Sequence, residues 1–399
     1  MVKIEGEAHF KTEAQRAYHR KLRALHLAEG YSYDADTLRP RPYWPTQPKN
    51  DVAPHLWRWQ DLHATLREAG ELVGLGHHES RDASKLSYDR RVIALTNPGL
   101  DDHYAITTTF FADFQLIQKG ECTPSHRHTP CATRFIFEGR GWTTVGGERV
   151  RFEKGDIVHT GQFPWHDHGN EDDEDLLFLD VLDIPLLQNL GVSHWEFDYW
   201  KVSGTREQHS SRPEVSEVDT PLWTRRDLRP RFRPSWTRKP RELAHLRWEQ
   251  ARADLLALAG EPGCPFDGIR CEMANPETGG PLGPTMSVFV QMLRGGETTR
   301  AHRHTTQTIY VGVEGKGRVH IDGQTFEWGP KDIFVVPSWA WHHHENVSGS
   351  EPAFLQSISD ASLIEKIGMY REQTRGEHGG DPAPVDDSGW CDSYRLDRR

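Results

Sequence analysis

The sequence predicts an all-β-dominated chain built from two similar barrels, with an N-terminal helical extension before them and a connector carrying one helix between them. Two observations carry that prediction: a histidine constellation that occurs twice at a constant offset, and a β-type alternation with hairpin turns around the copies. The first copy reads His126-Arg127-His128, then Gly139, then His166, His168 and Asn170. The second reads His302-Arg303-His304, Gly315, His342, His344 and Asn346, each 176 positions later (302 less 126). Gln115 and Gln291, Glu138 and Glu314, and the turns Gly146-Gly147 and Asp322-Gly323 keep the same offset, so a whole module is duplicated.

Taken in order, residues 11–30 read as a helix. Residues 56–72 read as another, because Trp57, Leu62, Leu66 and Leu72 roughly fit a 3.6-residue period. Both belong to an extension over 1–84 that covers a barrel edge or an oligomer contact. The first barrel occupies 85–202, where the run from Trp142 to Phe152 alternates around the Gly-Gly hairpin signal and returns a strand to the same sheet. A linker and helix fill 203–262. Ser203 to Pro240 is rich in Arg, Pro and Ser, with Trp223, Phe232 and Trp236 to pack on something, and Glu242 to Leu258 follows as a helix. The second barrel spans 263–375, and 376–399 is a polar tail.

Composition fits this organisation. The 399 residues suit two core-forming domains plus extensions, and 36% apolar with 10% aromatic residues is globular content. The segment from Lys3 to Lys21 has no apolar signal-type region, and no run is long enough to span a membrane, so a cytoplasmic protein with no membrane partner is expected. Cysteines 122, 131, 264, 271 and 391 are odd in number and lack zinc-type pairing, which predicts reduced thiols. The net charge of −11 argues against nucleic acid as a partner.

Strand geometry explains why the histidines suggest a metal. Side chains i and i+2 share a face, so His126 and His128 project into one cavity, and His166 on a returning strand closes a set of three on one side of an ion. Three neutral imidazoles hold Fe, Mn, Ni, Cu or Zn, and spacing alone does not choose among them. His302, His304 and His342 make a possible second site. The copies differ beside the histidines: where the first has Asp113 and Arg134, the second has Phe289 and Tyr310. An anionic substrate needs a cation in its pocket, and guanidinium matches a carboxylate with a planar fork, so the first barrel is the expected catalytic one.

These motifs resemble the cupin superfamily. The first cupin motif runs from Gly120 through His126 and His128 to Gly139, with Ala132 where a carboxylate ligand would sit, and the second from Gly155 to His166 and Asn170, with Gly161 and Phe163 at the usual proline and glycine. The second copy has Gly296, His302, His304, Thr308, Gly315, Pro337, His342 and Asn346, with Lys331 at the opening glycine. The resemblance implies a bicupin, two double-stranded β-helix (jelly-roll) barrels, each with a three-histidine site. Among bicupins the chain resembles the gentisate 1,2-dioxygenase family, which includes enzymes cleaving salicylate, substituted salicylates and 1-hydroxy-2-naphthoate. The residues that carry this are Arg90 to Val92, Asn97 to Leu100, His126 to Pro130, Arg134-Phe135, Trp165 to Asn170, Leu179-Asp180 and Ile184-Pro185, with a looser match from Asn275 to Arg371.

That resemblance implies Fe(II) held by His126, His128 and His166, chelated by the carboxylate and ortho-hydroxyl of a small aromatic acid, with dioxygen as co-substrate. The ring would open between the carboxyl-bearing and hydroxyl-bearing carbons to an oxo-diacid. It also implies a homo-oligomer, tetramer or dimer. By position, Arg134 grips the carboxylate, Gln115 bonds the chelate or the oxygen, and His168 is the base or hydrogen-bond partner of the substrate hydroxyl. Arg90 or Arg91 adds a cation, and Asp180 contacts the far side of the ring. Asp113 departs from the small residue usual in relatives and favours a donor or cation on the ring, as in gentisate or 5-aminosalicylate. Two alternatives stand beside this reading: a non-catalytic bicupin that binds a small acid, and a cupin isomerase or decarboxylase using another metal.

Overall fold

The computed structural model describes residues 10–28, 47–75, 90–100, 103–197, 199, 243–275 and 279–374, with the short strands 33–34, 39–40, 86–88 and 216–217. Ser203 to Pro240 apart from one short strand, Cys391 and the expected tail lie outside the described residues. Two barrels are present, each made of two sheets. In the first, six strands run in the order Leu243–Leu246, Ile157–Thr160, Ala132–Glu138, Leu176–Leu182, Phe111–Ile117 and Val92–Ala94, faced by a sheet built on Arg140–Val145, Glu148–Glu153 and His166–Gly169. The second barrel repeats this, with Ile269–Glu272, Ser287–Leu293, Ala353–Ser359, Thr308–Glu314, Ile333–Val336 and His55–Trp57 faced by a five-stranded sheet that includes His302–His304 and His342–Asn346.

The six-stranded sheets are buried on both faces, which is why their strands read as near-continuous apolar runs such as Leu176 to Leu182, buried at every position. One face fills its own barrel, with Ile136, Val158 and Phe178 against Val145, Val150 and Phe152 of the hairpin. The other face meets the sheet of the second barrel: Phe114, Phe135, Phe137 and Leu179 share one core with Val288, Val290, Ile309, Val335 and Phe354. At about 1.5–3 kcal/mol for each fully buried large side chain, this shared layer joins the halves firmly.

Each barrel also borrows its edge strand from the segment that precedes the other one. His55–Trp57 pairs with Ile333–Val335, and Leu243–Leu246 pairs with Ile157–Thr160. Both borrowed strands run into a helix, Trp59–Leu72 and Trp248–Ala257, and both helices begin at an Arg-Trp pair that offers no side-chain cap. The acceptor comes from the barrel instead: Trp59 N donates to Asp332 Oδ1 at 2.8 Å and Trp248 N to Asp156 Oδ1 at 2.9 Å. A carboxylate there satisfies an orphan N–H and the positive end of the helix together. The exchange is reciprocal at the loops too, where Thr285 Oγ1 donates to Asp183 (2.6 Å) and Thr109 Oγ1 to Asp360 (3.1 Å).

The extension and connector therefore contain strands where helices alone were expected. The segment 56–72 starts as strand and is helical only from Trp59, and Glu242 to Leu258 is strand over Leu243–Leu246 and helix over Trp248–Ala257. Edge pairing with a distant barrel outweighs local periodicity at these positions. Residues up to Asn50 form a separate compact unit, whose helix Glu13–Ala24 starts on a capping box between Thr12 and Gln15. The Gly146-Gly147 turn has positive φ at both residues, as a two-residue hairpin needs. Cysteines 122, 131, 264 and 271 are free thiols. No helix among the described residues is long and apolar enough to cross a membrane.

Candidate metal centre and substrate pocket

His126, His128 and His166 meet in the first barrel with one ligand nitrogen each, all within 4.8 Å of one another and all buried. His126 and His166 are held as a backbone bridge, each N–H donating to the other's carbonyl at 3.0 and 2.9 Å. His128 lies on a strand strapped by Trp195–Glu196, and the Trp195 ring packs 4.3 Å from its imidazole. His128 Nδ1 faces the Pro130 carbonyl at 2.8 Å and His166 Nδ1 the Pro164 carbonyl at 2.9 Å. A carbonyl only accepts, so both rings carry the proton on Nδ1 and present an Nε2 lone pair. His166 Nε2 is buried and has no hydrogen-bond partner. Burial holds His126 and His166 well below the usual histidine range and takes His128 down to about 3, so neutral ligands are in place. A divalent ion fits this donor set.

Beside the histidines, one row crosses three neighbouring strands. Asp180 is the direct register partner of Asp113 on one side and of Arg134 on the other. Directly opposed residues project to one face, so the three share the cavity. The pairing of Phe111–Ile117 with Leu176–Leu182 runs without a bulge, which leaves Asp113 facing inward. Arg134, only 1% exposed, reaches Asp180 Oδ2 at 3.3 Å and donates from Nη1 to Thr160 Oγ1 at 2.7 Å. Gln115 donates from Nε2 to Asp180 Oδ2 at 3.4 Å and accepts from Arg90 Nη1 at 3.3 Å. Burial, and then the neighbouring Asp180 charge, pushes Asp113 well above the ordinary carboxylate range, and burial also raises Asp180.

The two arginine alternatives are now separated. Arg90 enters the pocket, with Nη2 at 2.6 Å from His126 Nδ1 and 3.1 Å from its Nε2, so both ring nitrogens of this histidine lie within reach of a group that only donates, and Arg90 has to draw back for His126 to ligate an ion. Arg91 is turned away into a two-pronged ion pair with Glu121, at 2.9 and 3.0 Å, and donates to the Val73 carbonyl, so it supplies no cation to the cavity. His168 is 1% exposed, with its ring 5.6 Å from that of His166, and neither of its nitrogens has a hydrogen-bond partner. Burial lowers its pKa strongly.

In the second barrel His302, His304 and His342 converge within the same 4.8 Å limit. Here the row is Phe289, Ser357 and Tyr310, so the two carboxylates and the guanidinium of the first row are absent. A cation arrives from elsewhere: Arg270, on the edge strand opposite Gln291, lies 3.8 Å from the Phe289 ring and 3.4 Å from Asp267. The offset could not reveal it, since Arg270 takes the register place that Val92 has beside Gln115. Trp195 escaped sequence reading too, because a two-residue strap has no periodicity.

The fold and the site together define a two-barrel protein with a three-histidine centre and, in one barrel, a buried row of two carboxylates and a guanidinium beside it. The cupin domain family matches residues 113–182 and 289–358. The chain is 34% identical over 378 residues to 5-aminosalicylate 1,2-dioxygenase of Comamonas sp, covering 93% of this chain and 92% of that protein. It is 34% identical to gentisate 1,2 dioxygenase 1 of Aquipseudomonas alcaligenes, over 82% and 88%. Salicylate 1,2-dioxygenase from Pseudoaminobacter salicylatoxidans, as its gentisate adduct, superposes with a TM-score of 0.75 at 27% identity over 94% of this chain and 98% of that one. The chain belongs to the gentisate 1,2-dioxygenase family of ring-cleaving bicupin enzymes.

Proposed function

We propose that this enzyme uses Fe(II) and dioxygen to open a salicylate-type ring between the carboxyl-bearing and hydroxyl-bearing carbons, and that gentisate or 5-aminosalicylate is its substrate. The observation that carries the proposal is the Asp113–Asp180–Arg134 row beside His126, His128 and His166, with no counterpart row in the other barrel. Fe(II), when bound, supplies the redox chemistry that lets dioxygen react with the ring. Both oxygen atoms end in the open-chain oxo-diacid.

The chain's own residues bind and orient. Arg134 is held at ion-pair distance from Asp180 and by its Nη1 hydrogen bond to Thr160, and its guanidinium takes the substrate carboxylate, with Nε still lacking a hydrogen-bond partner within the chain. Arg90 brings a second positive charge to the same anion, steadied by Gln115. Neutral His168 accepts a hydrogen bond from the substrate hydroxyl, and its depressed pKa suits it to positioning that proton more than to keeping it. Asp113 and Asp180 line the side away from the metal and reward a ring donor or cation. Trp195 stands against His128 and keeps water from that side.

We place the catalytic barrel at 85–202 and the second barrel at 263–375, in a cytoplasmic homo-oligomer, dimer or tetramer, whose size light scattering would give. The test of function is anaerobic Fe(II) reconstitution, followed by dioxygen consumption and ultraviolet spectra with gentisate, 5-aminosalicylate, salicylate and 1-hydroxy-2-naphthoate. Stoichiometric uptake with a new open-chain chromophore is expected. No uptake with iron bound overturns the proposal.

A further inference from the structure

The second barrel keeps a cavity of about 530 Å³, walled by Asp267, Ile269, Arg270, Phe289, Ser359 and Glu372 among others. The loop that carries Asp267 is closed by the backbone of Cys264 and Gly268, whose amides and carbonyls pair at 2.7 and 2.8 Å. Arg270 Nη1 donates to Asp267 Oδ2 at 3.4 Å, and the guanidinium lies 3.8 Å from the centre of the Phe289 ring. This ion pair leaves one atom unused on each side: Arg270 Nε and Asp267 Oδ1 are buried and have no hydrogen-bond partner among the described residues. Strand register adds further unused groups. Ser357 and Ser359 share a face, Ser359 lines the cavity, and Ser357 is the direct partner of both Phe289 and Tyr310, so that row faces the cavity too. The hydroxyls of Ser357, Ser359 and Tyr310, at most 1% exposed, have no partner there, nor does Gln291 Oε1. Gln291 is fixed from its other end, where Nε2 donates to the Asp267 carbonyl at 2.7 Å. Buried polar groups cost stability while they stay unmet. Water suits the hydroxyls, but a spare guanidinium donor beside a spare carboxylate acceptor fits opposite charges better.

We propose that this cavity is a binding site for a small zwitterion of the free α-amino acid class, with its carboxylate on Arg270 Nε and its ammonium on Asp267 Oδ1 and Gln291 Oε1. The two charged ends of such a molecule are separated by a single carbon, as the two unused atoms are separated by a single ion pair. The hydroxyls of Ser357, Ser359 and Tyr310 donate to the remaining lone pairs of the carboxylate. Burial raises the Tyr310 phenol, which therefore keeps its proton and can donate. Leu258, Ile269 and Phe289 offer an apolar wall to the side chain. An aromatic acid fits less well than a zwitterion, because Arg270 is already paired with Asp267 and Glu372 adds a further negative charge to the wall. In the first barrel Val92 stands in the register place of Arg270, so the ion pair belongs to the second barrel alone.

The proposal does not rest on the ring-cleavage reading, and its test does not read activity. Full-length protein is titrated by calorimetry with L-alanine, L-leucine and L-phenylalanine, with and without EDTA. At least one should bind once per chain with a Kd below about 1 mM. The tightest is then compared with its analogues lacking the ammonium or the carboxylate, isocaproate and isopentylamine in the case of leucine, and each should bind at least about 10-fold more weakly. D267N should narrow the gap between the amino acid and its deaminated analogue, and R270M the gap to its decarboxylated one, whereas R134K in the other barrel should leave the affinity unchanged. D267N is a near isostere, so it stays informative even if R270M fails to fold. No binding by any of the three at about 10 mM overturns the proposal. Equal affinity for either analogue, binding that EDTA abolishes, unchanged gaps in D267N, or a loss in R134K each overturn it as well. Failure of ring cleavage with this binding intact would leave this inference standing and remove only the other.

Discussion

The first barrel surrounds His126, His128 and His166 with Arg90, Arg134, Asp113 and Asp180; the second surrounds His302, His304 and His342 with Phe289, Ser357 and Tyr310 in the same row, plus a carboxylate behind one imidazole. The histidines sit on equivalent strands because strand geometry and the bridge between the first and third of them were duplicated with the fold. What changed is cheap to change: inward positions of strands whose other face is committed to the shared core. On the function proposed above, strand position fixes where a metal would be held, and the row across three strands decides whether an aromatic acid can be presented to it. A barrel freed from holding substrate can give its inward row back to packing, as Tyr310 does against Phe334, with centroids 4.9 Å apart.

The sharpest test of this contrast removes a ligand from the first barrel. H128A should lower dioxygen uptake by at least about 1,000-fold, with one metal per chain lost by elemental analysis, because the open site loses a ligand that nothing nearby replaces. Next, R134K keeps the charge and discards the planar fork, so kcat/KM should fall about 100-fold while the protein stays folded, a loss of roughly 3 kcal/mol in transition-state binding. The matched change in the other barrel, Y310F, should stay within about 2-fold. Equal losses in R134K and Y310F would break the division of labour.

Much of this contrast was legible in the chain. Duplication exposed the ligand set, and comparing Arg134 with Tyr310 and Asp113 with Phe289 already pointed to the first barrel. Beside Arg270 and Trp195, three further things were hidden, each for a physical reason. Arg90 and Arg91 are adjacent, and alternation tells that one faces in but not which; the choice is made by Glu121, 30 residues away, which captures Arg91. The borrowed strands His55–Trp57 and Leu243–Leu246 exist only because a remote edge lacks a partner, so local periodicity reads them as the start of a helix. The departures at Lys331 and Phe163 looked like damaged motifs, yet both keep the positive φ of the glycine they replace, at 70° and 67°. Lys331 offsets that strain through an ion pair with Glu138 and a contact 4.6 Å from the Trp59 ring.

Where the barrels are alike, they should titrate alike. Asp183 and Asp360 cap equivalent loops, accepting from Cys131 N at 2.9 Å and Gln307 N at 2.8 Å, and burial pushes each up to about 6. Their folded pKa exceeds the unfolded one, so the folded state binds the extra proton between about pH 4 and 6. The stability each contributes is full below pH 4 and is lost as pH rises through 6. D183N and D360N cannot titrate. Measured by denaturant unfolding against the parent, each variant should therefore gain by up to ~3 kcal/mol in relative stability between pH 4 and pH 7, because each pH unit separating the folded from the unfolded pKa is worth about 1.4 kcal/mol. A gain in one variant only would show that the halves do not share this device.

The smallest expected effect tests what the first barrel selects, as distinct from what it holds. Asp113 has an Oδ1 with no hydrogen-bond partner and is buried beside Asp180, which favours its neutral form in the empty pocket, so its carboxylate form is stabilised only when a ring donor or cation enters beside it. A 5-amino or 5-hydroxyl group supplies that donor, and unsubstituted salicylate does not. D113A removes the unpaired acceptor and its charge together, so kcat/KM should fall for 5-aminosalicylate and gentisate and hold or rise for salicylate, narrowing the ratio by about 10-fold, or roughly 1.4 kcal/mol. Steady-state dioxygen uptake with the three acids reads this directly, and the same ratio in D113A and parent would mean that Asp113 serves only to balance Arg134. D113N would then separate charge from hydrogen bonding: retained preference for 5-hydroxyl with lost preference for 5-amino assigns the discrimination to the negative charge, since an amide still accepts from a hydroxyl but cannot neutralise an ammonium.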